Sequence, residues 1–205
     1  ICSPQLRNKF HIPNMQVGDA QVVPCSDARN LGVLFDQHMT FEKHVSHTCQ
    51  TSYAHLRRIA TIRRMLTNQA AEQLIHAFIT SRLDFCNSLL SGLSNNTLRR
   101  LQLVQNAAAR LLTGHKKSTH ITPIFQALHW LPIQYRIQYK IILLTFKALH
   151  GSAPDYLQSL LQVRSSRSGL RSSGKSLLVP RTRLSSYGDR AFSSAAPRLW
   201  NSLPV

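Results

Sequence analysis

The chain has 205 residues, and its apolar fraction of 43% is near that of globular domains and too high for a largely disordered protein. Lys and Arg total 25 against eight Asp and Glu, which gives a formal net charge of +17. This balance disfavours cationic partners and favours polyanions, with nucleic acid ahead of an acidic membrane surface. No two of the eight carboxylates are adjacent or spaced i, i+2, so the sequence does not suggest the clustered carboxylates of a two-metal phosphoryl-transfer site.

The cysteines and the apolar runs bear on the cellular setting. The four cysteines lie far apart and form no CxxC pair, so we expect reduced thiols rather than a disulfide framework. The longest clearly apolar run, Ile141 to Leu144, is far too short to span a bilayer. We therefore expect an intracellular protein, nuclear or cytoplasmic or both. Because the first residue is Ile1 rather than Met, we also expect a piece of a longer reading frame.

Short β-strands are expected near the start of the chain. Residues 15–17 and 20–23 flank the turn-forming pair Gly18-Asp19, as in a hairpin. The apolar run Asn30–Phe35 predicts another strand. These strands are too short to form an independent unit, so we expect a small β edge attached to the rest of the chain.

From Thr40 onward the spacing of apolar residues is helical. Thr40 is expected to cap the first helix. A second helix is expected to begin at Thr67 or Asn68 and end at Gly92, and a third to run from about Asn96 to Gly114. Steps of three and four predict a buried stripe on the first helix: Phe41, Val45, Cys49, Ser52, Leu56 and Ile59. The second helix is expected to bury Ala71, Leu74, Ile75, Phe78, Ile79, Leu83 and Cys86.

The C-terminal half contains one long helix and one basic segment. The stretch Ile133–Leu149, opened by Pro132, is apolar on nearly every face, which predicts a central position in the bundle. Residues 164–190 are rich in Ser and Arg and contain no acid before Asp189. We interpret them as a poorly ordered basic linker in which Leu177–Val179 can form a strand-like anchor.

The predicted fold class is therefore mainly α: a helical bundle preceded by a small β-hairpin or strand edge, with a Ser/Arg-rich arm. Five parts are expected: a β edge over residues 1–36, a helical domain over 37–118, a helical extension over 119–163, the basic linker over 164–190 and a terminal segment over 191–205.

Several segments of the chain, in order, resemble one protein family. They are Ala28–Asp36 followed by Met39–Val45, then His76–Cys86, Leu101–Arg110, His129–Pro132, Lys147–Gly151 and Ala195–Pro204. The set resembles the reverse transcriptases of non-LTR (LINE-type) retrotransposons of the Jockey-like group, from the end of the palm subdomain onward. One such segment would be a weak indication, but an ordered set from residue 28 to residue 204 is far more specific.

The resemblance implies a function and a division of roles. The parent enzyme would copy RNA into DNA with Mg²⁺, and the aspartates that bind this metal in the family lie upstream of the matched region. This chain alone would then be inactive, with no catalytic residue, metal ligand or cofactor of its own. The helices between Thr40 and Gly114 would be the thumb, which follows the template–primer duplex. Partners would be RNA, RNA–DNA or DNA duplex, and the upstream palm and fingers of the parent.

The resemblance also implies that Leu31, Gly32 and Val33 correspond to the hairpin that grips the primer end. Gly32 has no side chain, so a sugar-phosphate backbone could approach it closely. A glycine in a strand also marks a bulge or close packing, and both interpretations remain open.

Cations on the predicted helices are the remaining candidate contacts. Guanidinium and ammonium groups suit phosphate oxygens, release counterions on binding and do not read base sequence. Because few carboxylates can balance them, nucleic-acid contact is favoured over a merely solvated helix face. These candidates are Arg57, Arg58, Arg63, Arg64, Arg99, Arg100, Arg110, Lys116 and Lys117.

Other functions are less well supported by the sequence. His44, His47, Cys49 and His55 lack the paired spacing of zinc ligands, and no Gly-x-Ser-x-Gly motif selects a nucleophile. A non-enzymatic basic module, a retained transposon fragment that binds an acidic protein, is the main alternative. Attachment to anionic lipid through basic amphipathic helices is a further one.

Overall fold

The strands come first in the chain and form two separate hairpins. A computed structural model describes residues 14–164, 176–184 and 187–204. Strand β1 (Met15–Val17) pairs with β2 (Ala20–Val22), and β3 (Asp27–Asn30) pairs with β4 (Val33–Asp36), both antiparallel. The rest of the described chain is mainly helical, which confirms the predicted fold class.

The second hairpin corrects the single strand predicted over Asn30–Phe35. Leu31 and Gly32 have positive φ angles of 45° and 85°, and Asn30 pairs with Val33 across them. Two positive φ angles in a two-residue loop are typical of a type I′ turn, whose twist matches that of the flanking strands. The apolar side chain of Leu31 suggested a strand, but it points to solvent and is 85% exposed.

The helices follow in an order close to the predicted one. The first three are α1 (Glu42–Ile62), α2 (Asn68–Ile75) and α3 (Ser81–Asp84). They are followed by α4 (Asn95–Thr113), α5 (Ile121–Leu128), α6 (Ile133–Leu149), α7 (Asp155–Gln158) and α8 (Phe192–Asn201). Short 3₁₀ turns lie at Arg63–Met65, Asn87–Leu90 and Gly188–Arg190, and a π-helical segment at His76–Thr80 joins α2 to α3.

The start of α1 differs from the prediction that Thr40 caps it. The capping residue is Phe41, which has a φ of 56° and whose side chain is buried. The carboxylate of Asp36 accepts hydrogen bonds from the backbone N–H groups of His38, Thr40 and Phe41 at 3.0, 2.9 and 2.6 Å. These three bonds hold the loop in a conformation that turns Phe41 into the core.

Two of the other predicted helix ends are confirmed and one is wrong. The Thr67 side chain accepts a hydrogen bond from Ala70 N, and Gly114 ends α4 with a φ of 72°. The second helix ends at Asp84 rather than Gly92, because Phe85 is extended and Cys86 has a φ of 50°.

The π-helical segment changes which side chains of the second helical stretch face the core. Ala71, Ile75, Ile79 and Leu83 are buried as predicted, at steps of four. Phe78 is exposed, and Cys86, beyond the end of α3, is exposed as well. Leu74 is only partly buried and packs at the edge of the core.

The core lies between α1, the α2–α3 stretch, α4 and α6. All six residues of the predicted α1 stripe are buried, and Leu101, Val104 and Ala108 of α4 join them. The predicted central position of α6 holds only in part. The helix packs against α3, α4, α7, α8 and the 3₁₀ turn at Asn87–Leu90, but one of its sides faces solvent. Ile137 and Ile141 are buried, whereas the rings on the opposite side face solvent.

Part of the predicted linker is structured, so the expectation of a poorly ordered segment is wrong there. Leu177 is buried, forms an isolated β-bridge with Val163 and exchanges two hydrogen bonds with the Asn201 side chain, which confirms the predicted anchor. The Arg190 guanidinium donates to the carbonyl oxygens of Met39, Leu89 and Ser91. The rest of the predicted linker, residues 165–175 and 185–186, lies outside the described residues.

No described helix is both long enough and apolar enough to cross a bilayer.

Candidate nucleic-acid interface

A basic groove runs between the C-terminal ends of α1 and α4. It has a volume of about 750 Å³, and four of its lining side chains are the predicted cations Arg63, Arg64, Arg110 and Lys117. None of its lining residues is acidic. The remaining described lining residues are Tyr53, Ala60, Leu103, Ala107, Leu111, Gly114 and His115.

The two helices bring these cations together because they run side by side in the same direction. At their starts, the Arg100 guanidinium meets Glu42, and at their ends, the Arg63 guanidinium meets the last turn of α4. Gly114, in the left-handed conformation, then turns the chain back so that His115 and Lys117 line the groove.

Arg63 is used mainly to hold the two helices together. Its Nε and Nη2 atoms donate to the carbonyl oxygens of Leu111 and Leu112 at 3.3 and 2.9 Å. It also donates to the Leu66 carbonyl oxygen and to the Asn68 side chain. The last carbonyls of a helix carry partial negative charge, so a guanidinium is a fitting partner. Arg63 therefore gives the groove positive charge while most of its donors are occupied.

Arg64 and Lys117 are the groove cations most available to a ligand. Both are exposed, and neither has a hydrogen bond or ion pair within the part of the chain that the structure describes. Arg110 is half-buried and donates through one Nη atom to the Thr119 carbonyl oxygen at 3.0 Å. Its Nε is buried and has no partner among the described residues. Lys116, between the lining residues His115 and Lys117 in the chain, is exposed.

Three further predicted cations extend the groove toward the starts of the helices. At 100° per residue, Arg57 lies on the same side of α1 as Tyr53 and Ala60 of the groove lining. Arg99 and Arg100 lie on the groove side of α4, and the rise from Arg99 to Arg110 is about 16 Å, close to five base-pair steps. Arg99 is exposed, but Arg100 binds Glu42 at 2.8 Å and Ser46 at 2.8 Å.

The hairpin residues and Arg58 lie on roughly the opposite side of α1. Gly32 borders a second cavity, of about 390 Å³, which is also lined by Arg29, Arg82 and His47. Arg58 is exposed on the helical face of His47, so it does not join the groove. The predicted contacts therefore divide into two surfaces separated by α1.

The three hairpin residues differ in their access to a ligand. Leu31 is exposed at the tip of the turn, whereas the Val33 side chain is 2% exposed and packs in the core. A Cβ atom on Gly32 would lie 3.4 Å from the Phe85 ring, so the close neighbour of this glycine in the structure is an aromatic side chain.

Burial lowers the pKa of two histidines near the second cavity, His44 and His55. Burial lowers the pKa of His44, and the nearby His47 lowers it further. The His44 Nδ1 atom accepts a hydrogen bond from Leu34 N at 3.5 Å, a role that requires an unprotonated nitrogen. Burial also lowers the pKa of His55, with further contributions from Arg82 and Arg58. Within the described residues, no three His, Cys, Asp or Glu side chains are grouped as metal ligands.

Sequence reasoning missed Arg29 and Arg82 at the second cavity. Arg29 lies in a strand and Arg82 in a single-turn helix, and neither is part of a charge cluster in the sequence. At the groove, His115 directly precedes Lys116-Lys117 and belongs to the same basic run of the sequence.

The chain matches no protein-family model, no curated protein and no solved structure.

Proposed function

We propose that this chain binds the phosphate backbone of RNA, RNA–DNA or DNA duplex, as the thumb-like portion of a non-LTR retrotransposon reverse transcriptase. The observation that carries the proposal is the groove between α1 and α4, where Arg63, Arg64, Arg110 and Lys117 converge without a carboxylate. Phosphate contacts of this kind fix the position of a duplex without selecting its sequence.

Charge and shape both support a polyanion as the ligand. A stripe of cations that continues along two parallel helices for about 16 Å matches a repeating row of phosphates better than a single small anion. The net charge of +17 would also speed the approach of a polyanion.

The resemblance supports the thumb assignment through two segments. Leu101–Arg110 supplies the groove side of α4, and Met39–Val45 begins the helix that forms the other side. The catalytic role in this proposal belongs to the palm and fingers of a parent protein, and the role of this chain is to hold the duplex.

Salt-dependent binding to a blunt 16-base-pair duplex, followed by fluorescence anisotropy, tests the proposal. Up to six cations reach a ligand along the groove: Arg57, Arg64, Arg99, Arg110, Lys116 and Lys117. We expect the slope of log K against log salt concentration to be about −5, with little preference for sequence.

Different outcomes would favour the other functions. A slope near zero, or a strong sequence preference, would contradict phosphate binding by the groove. Binding to polyglutamate as tight as to duplex would favour the acidic-protein alternative. Incorporation of nucleotides in a primer-extension assay with the purified chain would contradict the proposal that it only binds.

A further inference from the structure

The solvent-facing side of α6 carries three aromatic rings in a row. Tyr135 and Tyr139 are each 56% exposed and Phe146 is 48% exposed. We propose that this face, formed by Tyr135, Tyr139 and Phe146, binds an unpaired nucleic-acid strand by stacking its bases on the rings. This surface and this ligand differ from the groove and the duplex, so the proposal does not rest on the function proposed for the groove.

The backbone of α6 places the rings on one face. Steps of four and seven residues return to nearly the same side of a helix, and the rise from the first ring to the last is about 16 Å. Ile137 and Ile141 are buried on the other side, which fixes the rotation of α6 about its axis. The three rings are therefore held in a row that an extended strand can follow.

The rings are open to a ligand. Within the described residues, the Tyr135 and Tyr139 side chains make no hydrogen bond and no contact with another ring. Phe146 stacks on His150, with ring centroids 4.1 Å apart and an angle of 28° between the rings. The His150 Nδ1 lies 2.8 Å from the Phe146 carbonyl oxygen, so this stacked pair is held in place.

The charge next to the rings favours a nucleic acid over other occupants. Lys140 and Lys147 lie on α6 beside the aromatic face, and α6 contains no carboxylate. Arg136 is paired with Asp84 of α3, and the neighbouring α7 contributes one acid, Asp155. Aromatic rings interleaved with cations are the usual means of binding single strands without sequence preference.

The other occupants of an exposed aromatic face fit less well. A second copy of the chain would bring a net charge of +17 against +17. An acidic protein could form ion pairs with Lys140 and Lys147, but its carboxylates would not stack on the aromatic rings. Bases need both features, because each base offers a π-face and each nucleotide carries a phosphate.

The helix that carries the aromatic face, α6, contacts a different side of α4 from the side that lines the groove. Two side chains of α4 hold the start of α6. Ile133 N donates a hydrogen bond to the Gln102 side-chain oxygen at 2.9 Å, and the Gln105 side chain donates to the Leu131 carbonyl oxygen at 2.9 Å. The groove is instead lined by Leu103, Ala107 and Arg110 of the same helix. The two surfaces can therefore be tested separately with different substitutions.

The test compares two double variants of the full chain in binding a fluorescein-labelled 12-nucleotide oligouridylate. Tyr135→Leu with Tyr139→Leu keeps apolar bulk but removes both rings, and we expect a loss of affinity of roughly fivefold per ring, about 25-fold together. Tyr135→Phe with Tyr139→Phe keeps the rings, and we expect affinity within about twofold of the wild type. Affinity for a blunt duplex should be unchanged in both variants.

Several results would overturn the proposal. Wild-type affinity for oligouridylate in the leucine variant would show that the rings do not bind bases. An equal loss of duplex affinity would show that the face is not a separate surface. Displacement of oligouridylate by polyglutamate at equal charge would show that the site recognises charge alone. If the double leucine variant melts early, Tyr139→Leu alone supplies the same comparison with a single ring removed.

Discussion

Removing two exposed cations from the groove should weaken duplex binding without affecting the fold. The change is Arg64→Gln together with Lys117→Gln, because both side chains line the groove and neither has a partner within the described part of the chain. Each phosphate contact that is lost should reduce the salt slope by about 0.9, so the pair should reduce it by about 2.

The same counterion argument gives the loss of affinity. At 0.1 M salt each contact contributes about eightfold, so the double variant should bind about 60-fold more weakly, or about 2.4 kcal/mol. The assay is fluorescence anisotropy with a labelled blunt duplex across a series of salt concentrations. The melting temperature should stay at the wild-type value, because exposed side chains without partners contribute little to stability.

A matched control separates the groove from the overall charge of the protein. Lys140→Gln with Lys147→Gln also reduces the net charge from +17 to +15 (17 − 2 = 15), but on α6. We expect a duplex salt slope equal to that of the wild type in this control. If the control and the groove variant lose affinity equally, or if the groove variant keeps the wild-type slope, the assignment of phosphate contacts to the groove is refuted.

Three further predictions concern the residues that hold the fold. Arg63→Gln should lower the free energy of unfolding by about 2–4 kcal/mol, since its contacts with the end of α4 are lost, and denaturant unfolding would measure this. Arg190→Gln should cost about 3 kcal/mol in the same assay, because its guanidinium donates to three backbone carbonyls; an unchanged midpoint would contradict that role. The lowered pKa of His44 means that the unfolded chain takes up a proton before the folded chain does, so stability should be greatest above about pH 6.5 and fall as the pH drops below it. His44→Gln should reduce the loss of stability between pH 7.5 and 5.5. An equally large loss in the variant would show that other groups cause the pH dependence.

The helices were the most predictable part of the fold. The buried stripe from Phe41 to Ile59 could be predicted because the apolar residues on one face of an amphipathic helix recur every three or four positions. All six of its residues are buried. The end of α4 at Gly114 was readable because glycine adopts the left-handed conformation without strain.

Local features that depend on tertiary contacts were not predictable. The turn at Leu31-Gly32 contains a leucine with positive φ, which sequence patterns disfavour, and the start of α1 is set by the side chain of Asp36 rather than by Thr40. Tyr135 and Tyr139 are four residues apart, as are the buried Ile137 and Ile141. Only the packing of α6 against its neighbours shows which of its sides faces solvent.

The candidate site was predictable in composition but not in its assignment of roles. The sequence identified the cations, but not the partners of Arg63 and Arg100, which lie 48 and 58 residues away along the chain. Because they bind these distant partners, Arg63 and Arg100 have fewer free donors for a ligand than the sequence suggested. The sequence also does not show that the Leu31–Val33 hairpin and the groove lie on opposite sides of α1, because this separation depends on how the chain packs around that helix.

The central claim is that duplex lies in the groove between α1 and α4, and hydrogen–deuterium exchange of the full chain with and without a blunt 16-base-pair duplex tests it most directly. We expect slower exchange on duplex binding in residues 57–66 and 108–118, which form the groove, and no change in residues 135–147 of α6. Protection confined to α6 or to the hairpin at residues 27–36, with none in the groove, would contradict the claim.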